Sequence, residues 1–270
     1  MPAIQGTQLA QTAKMLFKAK AIRLPLNFQG LPPQAPFGAA DQKAPNPAAL
    51  FIAASTLNYH VDTASSISKN VEELIDACST AIGNAFSQWQ SAAKFVGVLI
   101  NGPVGTAFPG TLVGPPSMSG PMIFSQVNVA GKQPTFIQYA RSITFAIGTA
   151  FQTWSTGYLV TLPFPGGAVC SVTMPPSPNV PVPIAAGASP GDAMMTAGAL
   201  KGLMIANHGM LGNHALDIFD AMAQAFSMLF LQWKGTTMIT NVMGAGGVAP
   251  PPPAPPAPVV AAIGNGGMLT

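Results

Sequence analysis

Three histidines, eight acids and two cysteines are all that this chain offers for acid–base, metal or thiol chemistry. His208 and His214 flank a glycine-containing turn, NHGMLGNH, with Asp217 next along the chain, and these are residue types a divalent metal uses. Two histidines six apart, with no Cys beside them and Asp217 the nearest acid, make no standard zinc set, which joins such a pair to a Cys pair or to further His. Both are therefore read as loop or capping residues, and His60 stands alone. Asp217 and Asp220 share one helix face with no partner base, and Glu72, Glu73 and Asp76 cluster in the same way. Acids placed so favour the positive end of a helix dipole rather than proton transfer. Cys78 and Cys170 are too far apart for a metal or disulfide pattern and read as small buried apolar residues. No GxSxG, GxxxxGK, GxGxxG or HExxH occurs, and the glycines of PGG and GAGG lead into proline rather than into a helix, so they make no phosphate cradle. No catalytic, cofactor-binding or metal residue is assigned, no cofactor is expected, and the chain is not read as an enzyme.

The elements that would position such residues belong to an unusual composition. Charged residues make up 7% of the 270, against about 25% in an ordinary soluble domain. Surface charge keeps monomers apart, so a chain this poor in it needs lipid or other subunits over much of its surface. The basic residues are bunched: Lys14, Lys18, Lys20 and Arg23 lie in the first 23 residues with no acid among them. They form either a contact arm for nucleic acid, an acidic partner or anionic lipid, or a solubilising helix end. Their place inside an amphipathic stretch is unlike a secretory leader.

An internal repeat organises the rest. Ala81–Trp89 reads AIGNAFSQW and Ala146–Trp154 reads AIGTAFQTW, with six of nine positions identical. Ala221–Trp233 reads AMAQAFSMLFLQW, a third version with four extra residues between Phe226 and the tryptophan. Ile75, Ile82, Phe86, Trp89, Ala93 and Val96 recur at helical spacing, as do Ile143, Ile147, Phe151, Trp154 and Tyr158. Phe86, Trp89, Phe151, Trp154, Phe226 and Trp233 are thus expected as the repeat core, packed around a pseudo-three-fold axis. Asn70 with Glu73 reads as the capping box that opens the first helix. Each helix runs into a Gly/Pro-rich stretch: INGPVGTAFPGTLVGPP, LPFPGGAVCSVTMPPSPNVPVP and VMGAGGVAPPPPAPPAPVV. Glycine ends the helix and proline blocks its resumption, which predicts extended arms suited to lie across a neighbour.

The remaining segments read as a helix over Thr7–Arg23, a Pro-rich linker over Leu24–Asn46, and a helix over Pro47–Val61 entered through Asn46. Ser189 and Asp192 form a capping box for a helix running to Asn207 or His208 with Gly209 as its stop, and Asn213 caps the third repeat helix. The expected fold is mainly α, with three related helix-plus-arm units and little regular β. Its parts are 1–45 (basic helix and linker), 46–120, 121–188 and 189–270 (the three units, the last with the Pro-rich C-terminal arm).

The stretch PPSPNVPVPIAA and the Gly-to-polyproline exit of the third unit resemble features of uncharacterised virion structural proteins of tailed bacteriophages, over about residues 70–260. That resemblance implies a multicopy component of a tail, baseplate, neck or capsid surface, located in the virion. Its partners would be copies of itself and other structural proteins, without nucleic acid beyond the basic N-terminus and without a membrane. The alternative is a membrane-associated or pore-forming helical protein. It is motivated by the uncharged stretch Ser142–Leu162, about the 20 residues a span needs. Ser142, Thr144, Thr149, Gln152, Thr153, Ser155 and Thr156, largely on one helical side, and charges in the related segments weigh against that reading.

Overall fold

The computed structural model describes residues 3–26, 41–101, 103–164, 177–248 and 259–270. Cys170, most of the Leu24–Asn46 linker and the centres of the second and third Gly/Pro-rich arms lie outside the described residues.

Among the described residues there are six α-helices: α1 (Gly6–Ala19), α2 (Asn58–Ala92), α3 (Gly120–Ser125), α4 (Pro134–Thr156), α5 (Ala197–His208) and α6 (Ala215–Thr236). Helix α1 buries Leu9, Ala13 and Phe17 against α2 and α6, so the basic segment is part of the main body. Helix α2 is one rod of 35 residues, and Asn70 lies exposed in its middle rather than capping it. Nothing between Asn58 and Lys69 is a Gly or Pro that would stop a helix there. The helix expected over Pro47–Val61 is absent before Asn58. The Asn46 carboxamide instead accepts a bond from the Ala48 amide, a local turn that competes with helix entry. The box at Ser189 and Asp192 forms, but opens a 3₁₀ turn, Pro190–Met195; α5 then starts from Thr196 and stops at Gly209, φ 76°. His214, φ 61°, takes the N-cap place of α6 expected for Asn213.

The expectation of little regular β is overturned. Eight strands among the described residues form one antiparallel sheet: β1 (Lys94–Asn101), β2 (Val104–Ala107), β3 (Leu112–Val113), β4 (Val160–Pro163), β5 (Ser177–Pro178), β6 (Val182–Pro183), β7 (Met238–Val248) and β8 (Val259–Leu269). The main order is β4-β2-β1-β8-β7-β5, with β3 on β1 and β6 on β7. The Val180 amide donates to the Pro163 carbonyl at 2.8 Å, and Leu159 and Ala188 form an antiparallel bridge. These contacts bring the two ends of the sheet together into a nearly closed barrel. The described parts of the arms therefore pair with one another, and the backbone groups so paired are satisfied without a neighbour.

The barrel is filled. Phe95, Val98, Ile100, Leu162, Phe164, Ile239 and Val242 point inward and are buried. A Cβ on Gly105 would meet the Phe164 ring, and one on Gly264 would press on Val98, Ile100 and Val242. In β1 a bulge at Gly97, φ 74°, lets Phe95, Val98 and Ile100 all face inward although they break strict alternation. The stretch Ser142–Leu162 is divided between α4 and β4, and among the described residues no helix is long and apolar enough to cross a membrane.

Candidate assembly interface

The three tryptophans meet at the C-terminal ends of α2, α4 and α6, with ring centroids 6.3, 6.2 and 5.8 Å apart. Phenylalanines interleave them in one cyclic sense. Phe86 meets Trp233 at 4.9 Å, Phe230 meets Trp154 at 5.0 Å, and Phe151 meets Trp89 at 4.7 Å. All three pairs are edge-to-face, the geometry favoured by the ring quadrupole. The third partner is Phe230, not Phe226. Phe226 is buried, and the ring it stacks on is Phe230, 6.2 Å away. The repeat is Phe-x-x-Trp in all three helices, and the four-residue insertion read into the third disappears.

Close helix contacts repeat with it. Gly83 and Gly148 both lie six residues before their tryptophan; a Cβ on the first would collide with the backbone of Gly6, and on the second with that of Gly120. The third helix has buried Ser227 in that place.

The aromatic ring sets where the barrel strands begin. Strand β1 starts five residues after Trp89 and β7 five after Trp233, while Leu159, five after Trp154, makes the bridge to Ala188. Eight residues after Trp89 and Trp233 come the left-handed Gly97 and Asn241. Beside each kink an asparagine accepts a strand amide at 2.9 Å: Asn265 from Gly97, and Asn179 from Val242. Each helix feeds a strand that turns back beside itself, and each outgoing strand also meets the return stretch of another unit: β1 with β8, β7 with β5, β4 with β2. This order is the same cycle that the Phe–Trp pairs follow.

The outer face of the barrel is the largest feature that sequence reasoning missed. Leu99, Val104, Ile263 and Met243 are 55%, 43%, 52% and 37% exposed on it. Pro163, Pro178 and Val180 are exposed beside them. Lys94 is the single charged residue in the described strands. The signal lay in the alternation of Phe95, Val98 and Ile100 with Val96 and Leu99, disguised by the bulge at Gly97.

The charges sit on the helical part and answer one another. Lys14 meets Asp76 at 2.7 Å, Lys18 donates to the Pro47 carbonyl at 2.6 Å, and Lys20 pairs with Asp220 and, at 3.8 Å, with Asp217. Of the four expected contact cations, Lys18 and Arg23 stand exposed with no side-chain ion pair among the described residues, and Lys18 is held by the Pro47 carbonyl. Burial pushes the Asp220 carboxyl up, but hydrogen bonds from Lys20, Gln224 and Lys201 outweigh it and hold the group below its ordinary value. Lys234 reaches Asp192 at 2.5 Å, and Asp192 also accepts the indole N–H of Trp154 at 3.1 Å.

The histidines separate. His208 is buried against the Tyr139 ring at 4.4 Å with Nδ1 3.1 Å from the Ser142 hydroxyl, and burial lowers its pKa. His214 faces Asp217 at 3.5 Å and the Phe51 ring. The buried His60 places Nδ1 2.6 Å from the Ser55 hydroxyl. Burial pushes the Cys78 thiol up to about 12, which suits an unreactive packing residue. Among the described residues no three His, Cys, Asp or Glu side chains are grouped to hold a metal. A cleft of about 410 Å³ opens between the N-terminal parts of α2, α4 and α6, where the Glu73 carboxylate and the Lys132 ammonium neutralise each other at 2.7 Å.

Comparison of the chain with protein-family models, with curated proteins and with solved structures finds no match.

Proposed function

We propose that this chain is a structural subunit of a large multicopy assembly, held in place through the outer wall of its barrel. The observation that carries this reading is the wall itself: exposed apolar side chains on β1, β2, β7 and β8, with Lys94 the single charge in the described strands. Exposed apolar side chains that neighbour one another across paired strands, as Leu99 does Ile263, Val104 does Pro163 and Met243 does Pro178, mark a contact with another molecule. The buried aromatic ring supports the reading by giving that wall a rigid base. The resemblance of the second and third arms to virion structural proteins of tailed bacteriophages makes a virion the assembly to test first.

The test is sedimentation of the native protein. Lysate of the cells that make it is run on a density gradient without detergent, and the chain is followed by antibody. Recovery with particles far heavier than the 27.6 kDa chain is the expected result. Recovery as a free monomer, dispersed without detergent, refutes the proposal.

A further inference from the structure

The outward positions of the barrel wall repeat three times. Leu99 pairs with Thr106 of its own hairpin and with Ile263 of the next. Met243 pairs with Asn265 of its own hairpin and with Pro178 of the next. Pro163 receives the Val180 amide from its own return stretch and pairs with Val104 of the next. Three triplets of equivalent positions result: Leu99/Met243/Pro163, Ile263/Pro178/Val104 and Thr106/Asn265/Val180. The six residues of the first two are exposed and apolar, although their identities differ, and the third is uncharged with Thr and Asn in two sectors. A partner that touched one flank would constrain one sector and leave the others free to carry charge. Apolar character retained in every sector calls for a partner that meets every sector.

Three kinds of surface could surround a barrel. A bilayer would need strands of about 9–11 residues. Among the described strands only β7 and β8, at 11 residues each, reach that length; β1 has eight, and β2 and β4 have four each, about 13 Å at 3.3 Å per residue, less than half of a hydrocarbon core of roughly 30 Å. Copies of this chain would set one convex wall against another, leaving gaps between them. A ring offers a concave inner surface that matches the convex wall all the way round.

We propose that, within the assembly reading on which this rests, the partner is a ring of identical chains with three-fold symmetry and an uncharged, apolar inner surface. One copy of this protein stands on the axis of the ring, its barrel in the opening and its charged helical part outside.

The experiment is photo-crosslinking in the native assembly. The full chain is made in its own cells with p-benzoylphenylalanine in place of Leu99, Pro163 or Met243 singly, and in place of all three together. The second triplet, Val104, Pro178 and Ile263, is treated in the same way, so that a bulky group tolerated poorly at one position does not decide the outcome. Far-ultraviolet circular dichroism confirms that each variant is folded. The expected result is the same partner polypeptide from every single position, and a ladder of one, two and three partner copies on the triply substituted chain. Different polypeptides from different sectors overturn the proposal, as do adducts with this chain alone or with lipid alone. A chain that sediments with the particle but yields no adduct from either triplet overturns the ring and leaves the assembly reading standing. A chain that yields no adduct and stays a free monomer overturns both.

Discussion

The assignment of Phe230 to the aromatic ring can be tested by thermodynamic coupling. The perturbation is a double-mutant cycle on Phe230→Leu and Trp154→Leu, whose rings lie 5.0 Å apart at an interplanar angle of 87°. Leucine is chosen because truncating a buried Phe or Trp to alanine costs about 3–5 kcal/mol, a large part of the 5–15 kcal/mol that holds a typical domain. An edge-to-face aromatic pair contributes about 0.5–1.5 kcal/mol beyond its buried area, and leucine removes that contribution while keeping most of the volume. The coupling energy between the two substitutions is therefore expected near 1 kcal/mol, above the 0.3–0.5 kcal/mol within which independent sites add. The cyclic arrangement demands the same from Phe86 with Trp233 and from Phe151 with Trp89, whose centroids are 4.9 and 4.7 Å apart.

Urea unfolding followed by circular dichroism at 222 nm is the assay, since tryptophan fluorescence changes with the mutations themselves. The control is Phe226→Leu with Trp154→Leu. Phe226 is as buried as Phe230, so its single substitution is costly too, but it stacks on Phe230 and not on the indole. That cycle should be additive. Coupling of Phe226 with Trp154 as strong as that of Phe230 would refute the register, and additivity in all three main cycles would refute the ring.

Three further outcomes are expected. Gly83→Ala and Gly148→Ala should each destabilise by about 1–3 kcal/mol or more, because the new methyl group meets the backbone of Gly6 or Gly120; Gly202→Ala, exposed within α5 with open space around it, should stabilise by about 0.5–1 kcal/mol in the same urea assay. Trp89→Ala should cost about 3–5 kcal/mol, and a melting temperature equal to the parent's would contradict its place at the ring. Acid should destabilise the fold in two stages. His208 has a folded pKa below its ordinary value through burial, so the unfolded chain binds the proton first; the stability it contributes is complete above about pH 6.5 and declines as the pH falls through that value. Asp220, also lowered in the fold, adds a second loss as the pH falls below about 4. His208→Gln should remove the first stage in a series of melting temperatures against pH, and an unchanged first stage would show that another group carries it.

The helical part of this architecture was largely legible. Tryptophan at the end of an amphipathic stripe identifies α2, α4 and α6 because a helix buries one face at a spacing of three and four. Residue spacing alone could not decide between Phe226 and Phe230, since they differ by about one helical turn and both face the core. The barrel was hidden for a different reason. Glycine and proline in the arms read as breakers, whereas here Gly97 makes a bulge, Gly105 and Gly264 make room for packed side chains, and Pro163 and Pro178 close the short strands β4 and β5. The pairing that gives these residues their roles joins segments as far apart as Leu99 and Ile263, and no local pattern announces it. The basic N-terminal cluster was legible as a cluster but not as to its partners, because Asp76, Asp217 and Asp220 reach it only through the packing of α1 on α2 and α6.

The imperfection of the internal symmetry bears on what kind of contact the wall can make. Units one and three carry a left-handed residue eight positions after their tryptophan, but unit two has buried Leu162 there, and β4 is four residues against eight in β1 and eleven in β7. Three identical partner chains would thus meet three sectors that differ in register and backbone path. Hydrogen bonding to strand edges could not serve all three, because a shift of one residue reverses which side chains face out and misaligns every donor and acceptor. Buried ion pairs would serve three unequal sectors poorly too, since the cost of desolvating two charges is offset only where the geometry is excellent and their remaining hydrogen bonds are made. Apolar burial is non-directional and scales with area, so leucine, methionine and proline can fill equivalent places with comparable effect. A chain with unequal sectors therefore fits a ring of equal ones best through a wall poor in charge, here with Lys94 alone in the described strands, and bearing apolar side chains. Keeping the strand edges paired within the barrel, and the charges on the helices, leaves such a wall as the surface it presents.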